Sequence, residues 1–368
     1  MDLGLFMMPL HPPQRPVSET YKEDSDKIIL ADQLGFSEAW VGQHFTCTTE
    51  PIASPLMFMA ALINQTRQIK FGTGVINLPC HNPAVVAAEL AQFDHMSSGR
   101  LMFGIGPGSL ATDFALFKMT NPKEREERLL ESVETIQKIW TQDPPYRIEG
   151  KYYSVLVEDN IHPHLGTGYM PKPFQHPMPP IAMSVMSPNS GTAKKAAMRG
   201  WSMMSANFVT SYIVGTHWQK YLEGCDEAKK QPRPGDWRVA RNVLVARTDE
   251  EAREFLFDPR CSQRFYFDYL WQALSLANYT VILKADPKML DEDVTIDMLL
   301  QDLVIYGSPK TVAEKLVALR ESVGPFDNLM LALTDWEGVN RKREEDSMRL
   351  LAKEVMPLLE KARIPQVA

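Results

Sequence analysis

Cysteine is scarce in this chain: four residues, Cys47, Cys80, Cys225 and Cys261, lie scattered over 368 positions. No Cys-x-x-Cys pair and no Cys/His ligand spacing occurs, so no zinc or other metal site is expected. A reduced, cytoplasmic protein is the simplest expectation. Excess positive charge is also missing. With 39 Lys and Arg against 46 Asp and Glu, the net charge is -7, which argues against nucleic acid as a partner. The most basic stretch, Arg341–Arg343, runs straight into Glu344–Asp346 and reads as a solvated helix face. No apolar run approaches the roughly 18 residues of a membrane span, so no membrane partner is expected. The opening MDLGLFMMPL has no basic leader and meets His11-Pro12-Pro13 at once. It is expected to be a core strand, not a signal peptide. A self-sufficient catalytic toolkit is absent too. No Ser-His-Asp triad can be built from local motifs, and no paired carboxylates sit beside strand ends, which leaves the chemistry to a cofactor.

What is present is an end-to-end alternation of strand and helix. Strands are expected at Leu3–Met8, Ala39–Val41, Lys70–Ile76, Leu101–Ile105, Ile181–Val185, Ser202–Ser205, Val239–Ala246 and Leu329–Leu333. Helices are expected at Ser18–Gly35, Pro55–Gln65, from Asn82-Pro83 to Ser97, from Asn121-Pro122 to about Trp140, and at Thr192–Arg199, Tyr212–Lys229, Thr311–Val323 and Asn340–Lys361, with another starting at Asp249. The Asn-Pro pairs supply a cap and a proline at the first helical position. Eight βα units favour a closed parallel barrel, a (β/α)₈ TIM barrel, over an open sheet. Two excursions interrupt it: the proline-rich segment from about 143 to 180, with Tyr152-Tyr153 in a small hairpin, and an irregular aromatic segment from about 258 to 302. One domain spanning 1–368 accommodates both.

Within this frame the run Ile69–Gly108 stands out for glycines at the C-terminal ends of two successive strands, the end where barrel chemistry sits. The string Gly104-Ile105-Gly106-Pro107-Gly108 fits a dinucleotide fingerprint badly, because it carries a proline and lacks the acidic follower. A strand end that lets a flat ligand approach the backbone is the better reading. Between the fifth strand and its helix, Ser187-Pro188-Asn189-Ser190-Gly191-Thr192 offers hydroxyls and N–H groups suited to a phosphate. Simple helix capping by Ser190 or Thr192 explains the same residues equally well. His44, just after the second strand, is placed to act as acid, base or proton shuttle, or is structural. Met7, Met8, Phe58, Met203 and Phe208 near strand ends suggest an apolar pocket, though methionines in such places also fill cores.

Taken together, LGLFMMP, LGFSEAWVGQHFT, FGTGVINLPCHNPAVVAAELAQFDHMSSGRLMFGIGPG, PPIAMSVMSPNSGTAKKAAMRG and VIYGSPKTVAEKL resemble the bacterial luciferase-like flavin-dependent monooxygenases over nearly the whole chain. The resemblance implies an eight-stranded barrel with insertions, a homodimer, and reduced FMN (FMNH2) as cofactor. It implies further that O2 and a small apolar organic substrate react at the barrel mouth, and that a separate flavin reductase supplies the reduced FMN. Carried over by position, His44 matches the histidine of the family's flavin–oxygen chemistry. Gly74-Val75 matches a non-prolyl cis peptide under the flavin ring, and Gly106 and Pro107 the positions beside it. Ser187, Ser190, Gly191 and Thr192 match the phosphate stretch. Arg128, or alternatively Arg125, matches an arginine that reaches the same phosphate. In luciferases proper, a reactive cysteine and an arginine stand at the Gly106 and Pro107 positions, Glu and His at those of Gln43 and Phe45, and an acid at that of Met186. These departures argue against light emission and for a loosely held FMN. Two alternatives remain: a deazaflavin-dependent hydride-transfer oxidoreductase and a non-catalytic flavin-binding protein.

Overall fold

A computed structural model describes residues 1–361; residues 362–368, the end of the expected 1–368 domain, lie outside the described residues. Eight parallel strands form the barrel: β1 Asp2–Met7, β2 Glu38–Val41, β3 Lys70–Thr73, β4 Leu101–Gly106, β5 Ile181–Val185, β6 Ser202–Ser205, β7 Trp237–Val245 and β8 Asn328–Leu333. The spatial order is β7-β8-β1-β2-β3-β4-β5-β6, and β6 pairs with β7 to close the ring. Every residue of β4, β7 and β8 is buried. Such strands are covered on both faces, which explains why their sequences are apolar runs and do not alternate. The TIM-barrel expectation therefore stands.

By density of internal contacts the chain falls into two compact units: Met1–Ala39 with Thr48–Glu50 and Met183–Ala368, and Trp40–Cys47 with Pro51–Ala182. In the first, β1 pairs with β8 from Asp2↔Asn328 to Met7↔Leu333, and β7 pairs with β8 from Arg238↔Asn328. Arg238 thus lies at the N-terminal level of the strands. Its Nε and Nη2 donate to the two oxygens of Glu38 at 2.6 and 2.7 Å, with both side chains buried. Conserving charge balance at this end is a matter of stability, since barrel chemistry belongs to the opposite face. The indoles of Trp218 and Trp237 stack with centroids 5.2 Å apart, fixing the helix Ser211–Glu227 against the sheet.

In the second unit, Asn82 and Asn121 cap the helices Pro83–Met96 and Pro122–Thr141 by accepting from Ala84 N and from Lys123 N. The prolines at their first positions cost no hydrogen bond. Gly72 serves Trp40, whose indole a Cβ would overlap, while a Cβ on Gly104 would run into the Thr73 carbonyl oxygen, with the Trp40 ring just beyond it. These glycines make room for core atoms, not for a ligand.

Several expectations need correction. The third strand ends at Thr73, and a separate pair, Ile76–Asn77, adds to β4. The 258–302 segment is not irregular. It holds the helices Ser262–Leu276 and Ile296–Leu303, and Tyr266 and Phe267 are fully buried. A further strand, Val304–Gly307, follows it and pairs with β7. The small hairpin is present as expected: Tyr152 and Tyr153 sit in the turn between the antiparallel strands Tyr146–Glu149 and Ser154–Val157, where Glu131 accepts from their N–H groups. Met7 and Met203 are core residues. The basic stretch is a solvated face only in part: Arg341 and Lys342 form i,i+4 pairs with Glu345 and Asp346, but Glu344 is buried and accepts from Thr334 and Trp336 Nε1. Among the described residues, no helix is long and apolar enough to cross a membrane.

Candidate active site

His44 follows β2 in the second unit. Its N–H donates to Ile52 O at 3.1 Å, which fixes the turn. Its imidazole is partly exposed, and Nδ1 lies 3.4 Å from Oδ2 of the buried Asp113. That carboxylate also accepts from Phe45 N at 3.1 Å, Thr46 N at 2.9 Å and Thr46 Oγ1 at 2.6 Å. Asp113, in the helix Ala111–Leu116 after β4, thus fastens the whole His44–Thr46 turn. Sequence reading missed it, because the two residues meet only through the pairing of distant strands. The one available cue was a lone acid shortly after the Gly106-Pro107-Gly108 strand end.

Gln43 has a structural task. Its Oε1 accepts from Asn77 N and from His81 Nε2, each at 3.0 Å, while its amide donates to Ala53 O at 2.9 Å. Val41 O accepts from Gly74 N at 2.6 Å, and the Gly74–Val75 bond is cis. Gly74, Val75 and Pro107 are partly open, while their neighbours in β3 and β4 are buried. The strand ends therefore expose a short stretch of backbone. Gly108 has a φ of +83°, and a Cβ there would press on Phe114 at 2.8 Å, so only glycine fits this turn.

The two candidate arginines differ. Arg128 donates from Nε to Glu124 at 2.8 Å and lies 4.3 Å over the Tyr152 ring. Arg125 lies 3.6 Å over Phe114 and donates from Nη1 to Met119 O at 2.8 Å, and its buried Nε has no hydrogen-bond acceptor. Cys80 is pushed up to about 11, first by burial and then by the Asp113 charge, so it holds no ready thiolate.

In the first unit, Met186 and Ser187 follow β5, and Ser190 caps the helix Gly191–Arg199, its Oγ accepting from Thr192 N at 3.2 Å. That acceptor role leaves the Ser190 O–H available outward. No acidic residue stands in the helix's first turn, and a Cβ on Gly191 would meet nothing within 4 Å. Capping accounts for Ser190 alone; Ser187 and Thr192 are left without that explanation.

The first unit also carries a buried charge network that sequence reading did not single out. His11 Nε2 faces Asp24 at 3.2 Å and Nδ1 faces Asp335 at 2.5 Å. Lys27 pairs with Asp24 at 3.0 Å, and Arg15 with Asp335 at 2.6 Å and also with Glu23. Burial works against a charged His11, but the hydrogen bonds to Asp24 and Asp335 outweigh it and raise its pKa. With a carboxylate on each nitrogen, the ring is an imidazolium that donates twice. His11, Glu23 and Asp335 bring ligand-type atoms within 4.8 Å of one another, but the cation that serves these carboxylates is Arg15.

A parallel barrel with partly open backbone at its strand ends is the frame on which barrel enzymes place their chemistry. The pattern of the luciferase-like monooxygenases matches residues 1–325, and the chain belongs to that family. Limonene 1,2-monooxygenase of Rhodococcus erythropolis is 28% identical over 358 residues, covering 97% of this chain and 86% of the relative. The oxygenating constituent of 3,6-diketocamphane monooxygenase from Pseudomonas putida, a type II Baeyer-Villiger monooxygenase solved in complex with FMN, superposes with a TM-score of 0.87. It is 26% identical, covering 97% of this chain and 98% of that one. An F420-dependent glucose-6-phosphate dehydrogenase of Amycolatopsis mediterranei is 25% identical over 291 residues, 76% of this chain and 80% of the relative.

Each unit by itself carries one feature of the kind that a flavin mononucleotide requires. A Gly191 face with no atom within 4 Å of an added Cβ, hydroxyls at a helix N-terminus and no acid in the first turn suit a phosphate. The partly open Gly74-Val75 and Pro107 backbone suits a flat ring.

Proposed function

We propose that this protein is an FMN-dependent monooxygenase that inserts one oxygen atom of O2 into a small apolar organic substrate. Baeyer–Villiger insertion, hydroxylation and epoxidation are the three outcomes open to it. The observation that carries this reading is the match, over 97% of the chain at a TM-score of 0.87, to an FMN-bound oxygenating constituent. Bound reduced flavin would supply the electrons that activate O2. Gly74, Val75, Gly106 and Pro107 are proposed to contact its ring. Met186, Ser187, Ser190, Gly191 and Thr192 are proposed to form its phosphate stretch. Arg128 is carried forward as a phosphate ligand from the family pattern, with Arg125 as its alternative. The relatives' names, a limonene and a diketocamphane oxygenase, favour a terpene or cyclic ketone. A constituent-type relative favours a separate reductase. We further infer a homodimer working in the cytoplasm.

His44 is the proposed catalytic residue. A carboxylate only accepts, so any proton shared across the 3.4 Å gap to Asp113 sits on His44 Nδ1, and Nε2 is proposed as the working nitrogen. Nε2 is then the nitrogen proposed to accept a proton or to return one. Water exclusion would fall in part to the helix Ser262–Leu276. Tyr266 on that helix accepts a hydrogen bond from Asn207 at 2.7 Å, which makes it a fastened wall.

A second reading has one specific observation behind it, the F420-dependent relative. Under that reading the barrel would transfer hydride from a reduced deazaflavin and need no oxygen. Binding titrations with FMN and with F420, followed by oxygen uptake with reduced FMN, separate the two.

A further inference from the structure

Behind the proposed phosphate stretch lies a chain of hydrogen bonds. The indole Nε1–H of Trp237 donates to Ser205 Oγ at 2.9 Å. Ser205 Oγ lies 2.9 Å from His217 Nδ1, and His217 Nε2 lies 3.0 Å from the Ser187 carbonyl oxygen. An indole nitrogen can only donate and a carbonyl can only accept. Nε2 therefore donates to Ser187, and in the neutral ring Nδ1 accepts from the Ser205 hydroxyl. Burial, opposed by the Ser187 carbonyl and helped by the nearby Arg241 charge, pushes the His217 pKa down to about 4, which agrees with that tautomer. His217 and Ser205 are both fully buried.

The residue beside His217 does the same for the next part of the loop. Thr216 Oγ1 donates to Ile213 O at 2.6 Å, which turns its lone pair toward Asn189 N–H at 2.9 Å. Asn189 holds a φ of +51°, a left-handed conformation that a non-glycine residue keeps only when something secures it. Two consecutive residues of one helix thus pin Ser187 and Asn189, on either side of Pro188. Neither reaches toward a ligand. Both act on the backbone that presents Ser187, Ser190 and Thr192.

We propose that Thr216 and His217 are positioning residues for flavin phosphate recognition: they hold the Ser187–Thr192 loop in its binding shape through the Asn189 amide and the Ser187 carbonyl. This rests on the phosphate assignment made above. The consequence is selective. Loss of either residue should weaken FMN, which has a phosphate, and spare riboflavin, which has none.

The test is the dissociation constant of oxidised FMN and of riboflavin, each read by flavin fluorescence with the full-length protein. Thr216→Val is nearly isosteric and, at a partly buried site, removes the hydrogen bond from the Asn189 amide together with the donation to Ile213 O. We expect about fivefold weaker FMN binding from it, and about tenfold from His217→Leu, with riboflavin unchanged. A Ser190→Ala/Thr192→Val double variant tests the loop itself. If the double variant loses FMN preference while Thr216→Val and His217→Leu keep it, the positioning role is overturned and the phosphate assignment survives. If the double variant also keeps full preference for FMN, the phosphate assignment falls and takes the positioning role with it. Equal weakening of FMN and riboflavin by Thr216→Val would mean a general packing role and would equally overturn the proposal.

Discussion

Asp113→Ala is the substitution whose outcome follows most directly from geometry. The carboxylate is buried and accepts from Phe45 N at 3.1 Å, Thr46 N at 2.9 Å and Thr46 Oγ1 at 2.6 Å, with His44 Nδ1 at 3.4 Å. Truncation leaves two backbone N–H groups without their acceptor. A buried donor stranded in this way costs about 1–3 kcal/mol. Thr46 is exposed and water can reach its amide, so the total should fall near the lower end, about 2–4 kcal/mol. Chains of 150–250 residues lose roughly 2–4 °C per kcal/mol, and longer ones somewhat less. The melting temperature should therefore drop by about 4–12 °C. Asp113→Asn keeps one acceptor oxygen and should lose about half as much. His44→Ala removes a partly exposed ring and no acceptor of the turn, so it should melt close to the parent. Differential scanning fluorimetry of the three variants gives the order directly. If Asp113→Ala melted within about a degree of the parent, or above His44→Ala, Asp113 would not be what fastens the turn.

Three other outcomes follow from the structure. His44→Ala should retain FMN binding and lose most turnover in steady-state assays; an unchanged rate would remove His44 from the chemistry. The pH dependence of stability carries two signs. His11 is raised from 6.5 by Asp24 and Asp335 against the effect of burial, so its contribution is full below pH 6.5 and fades as pH rises through the folded value. Asp24 is lowered from 3.8 because Lys27 and His11 outweigh its burial, so its contribution is full above pH 3.8 and fades in acid. Urea midpoints should decline above pH 6.5 in the parent and stay level in His11→Gln, and parallel slopes would contradict the imidazolium. Cys80, pushed up to about 11 by burial and Asp113, should resist iodoacetamide at pH 8 in peptide mapping, and rapid labelling there would show that the thiol is not held protonated.

The fold was legible because parallel strands buried on both faces are continuous apolar runs, and because Asn-Pro and Ser-Pro pairs mark helix starts. Leu101–Gly106 and Pro83–Met96 carried those signals clearly. Segment 258–302 misled because Tyr266 and Phe267 form part of a helical face packed into the core, while neighbouring Asp and Pro residues suggested loop. Gly104 looked like part of a ligand-facing strand end, since sequence cannot show that the Thr73 carbonyl and Trp40 fill the space beside it. Single proposed site residues such as His44 could be chosen from their place after a strand. Their partners could not: Asp113 meets His44, and His217 meets Ser187, through strand order alone.

The central claim, oxygen insertion with reduced FMN, is tested most directly by supplying chemically reduced FMN and isotopically labelled O2. Small terpenes and cyclic ketones would be offered as substrates, and products read by mass. One labelled oxygen atom in the product, dependent on FMN and abolished by His44→Ala, is the predicted result. Absence of label with every such substrate, together with substrate reduction by reduced F420 under anaerobic conditions, would contradict it.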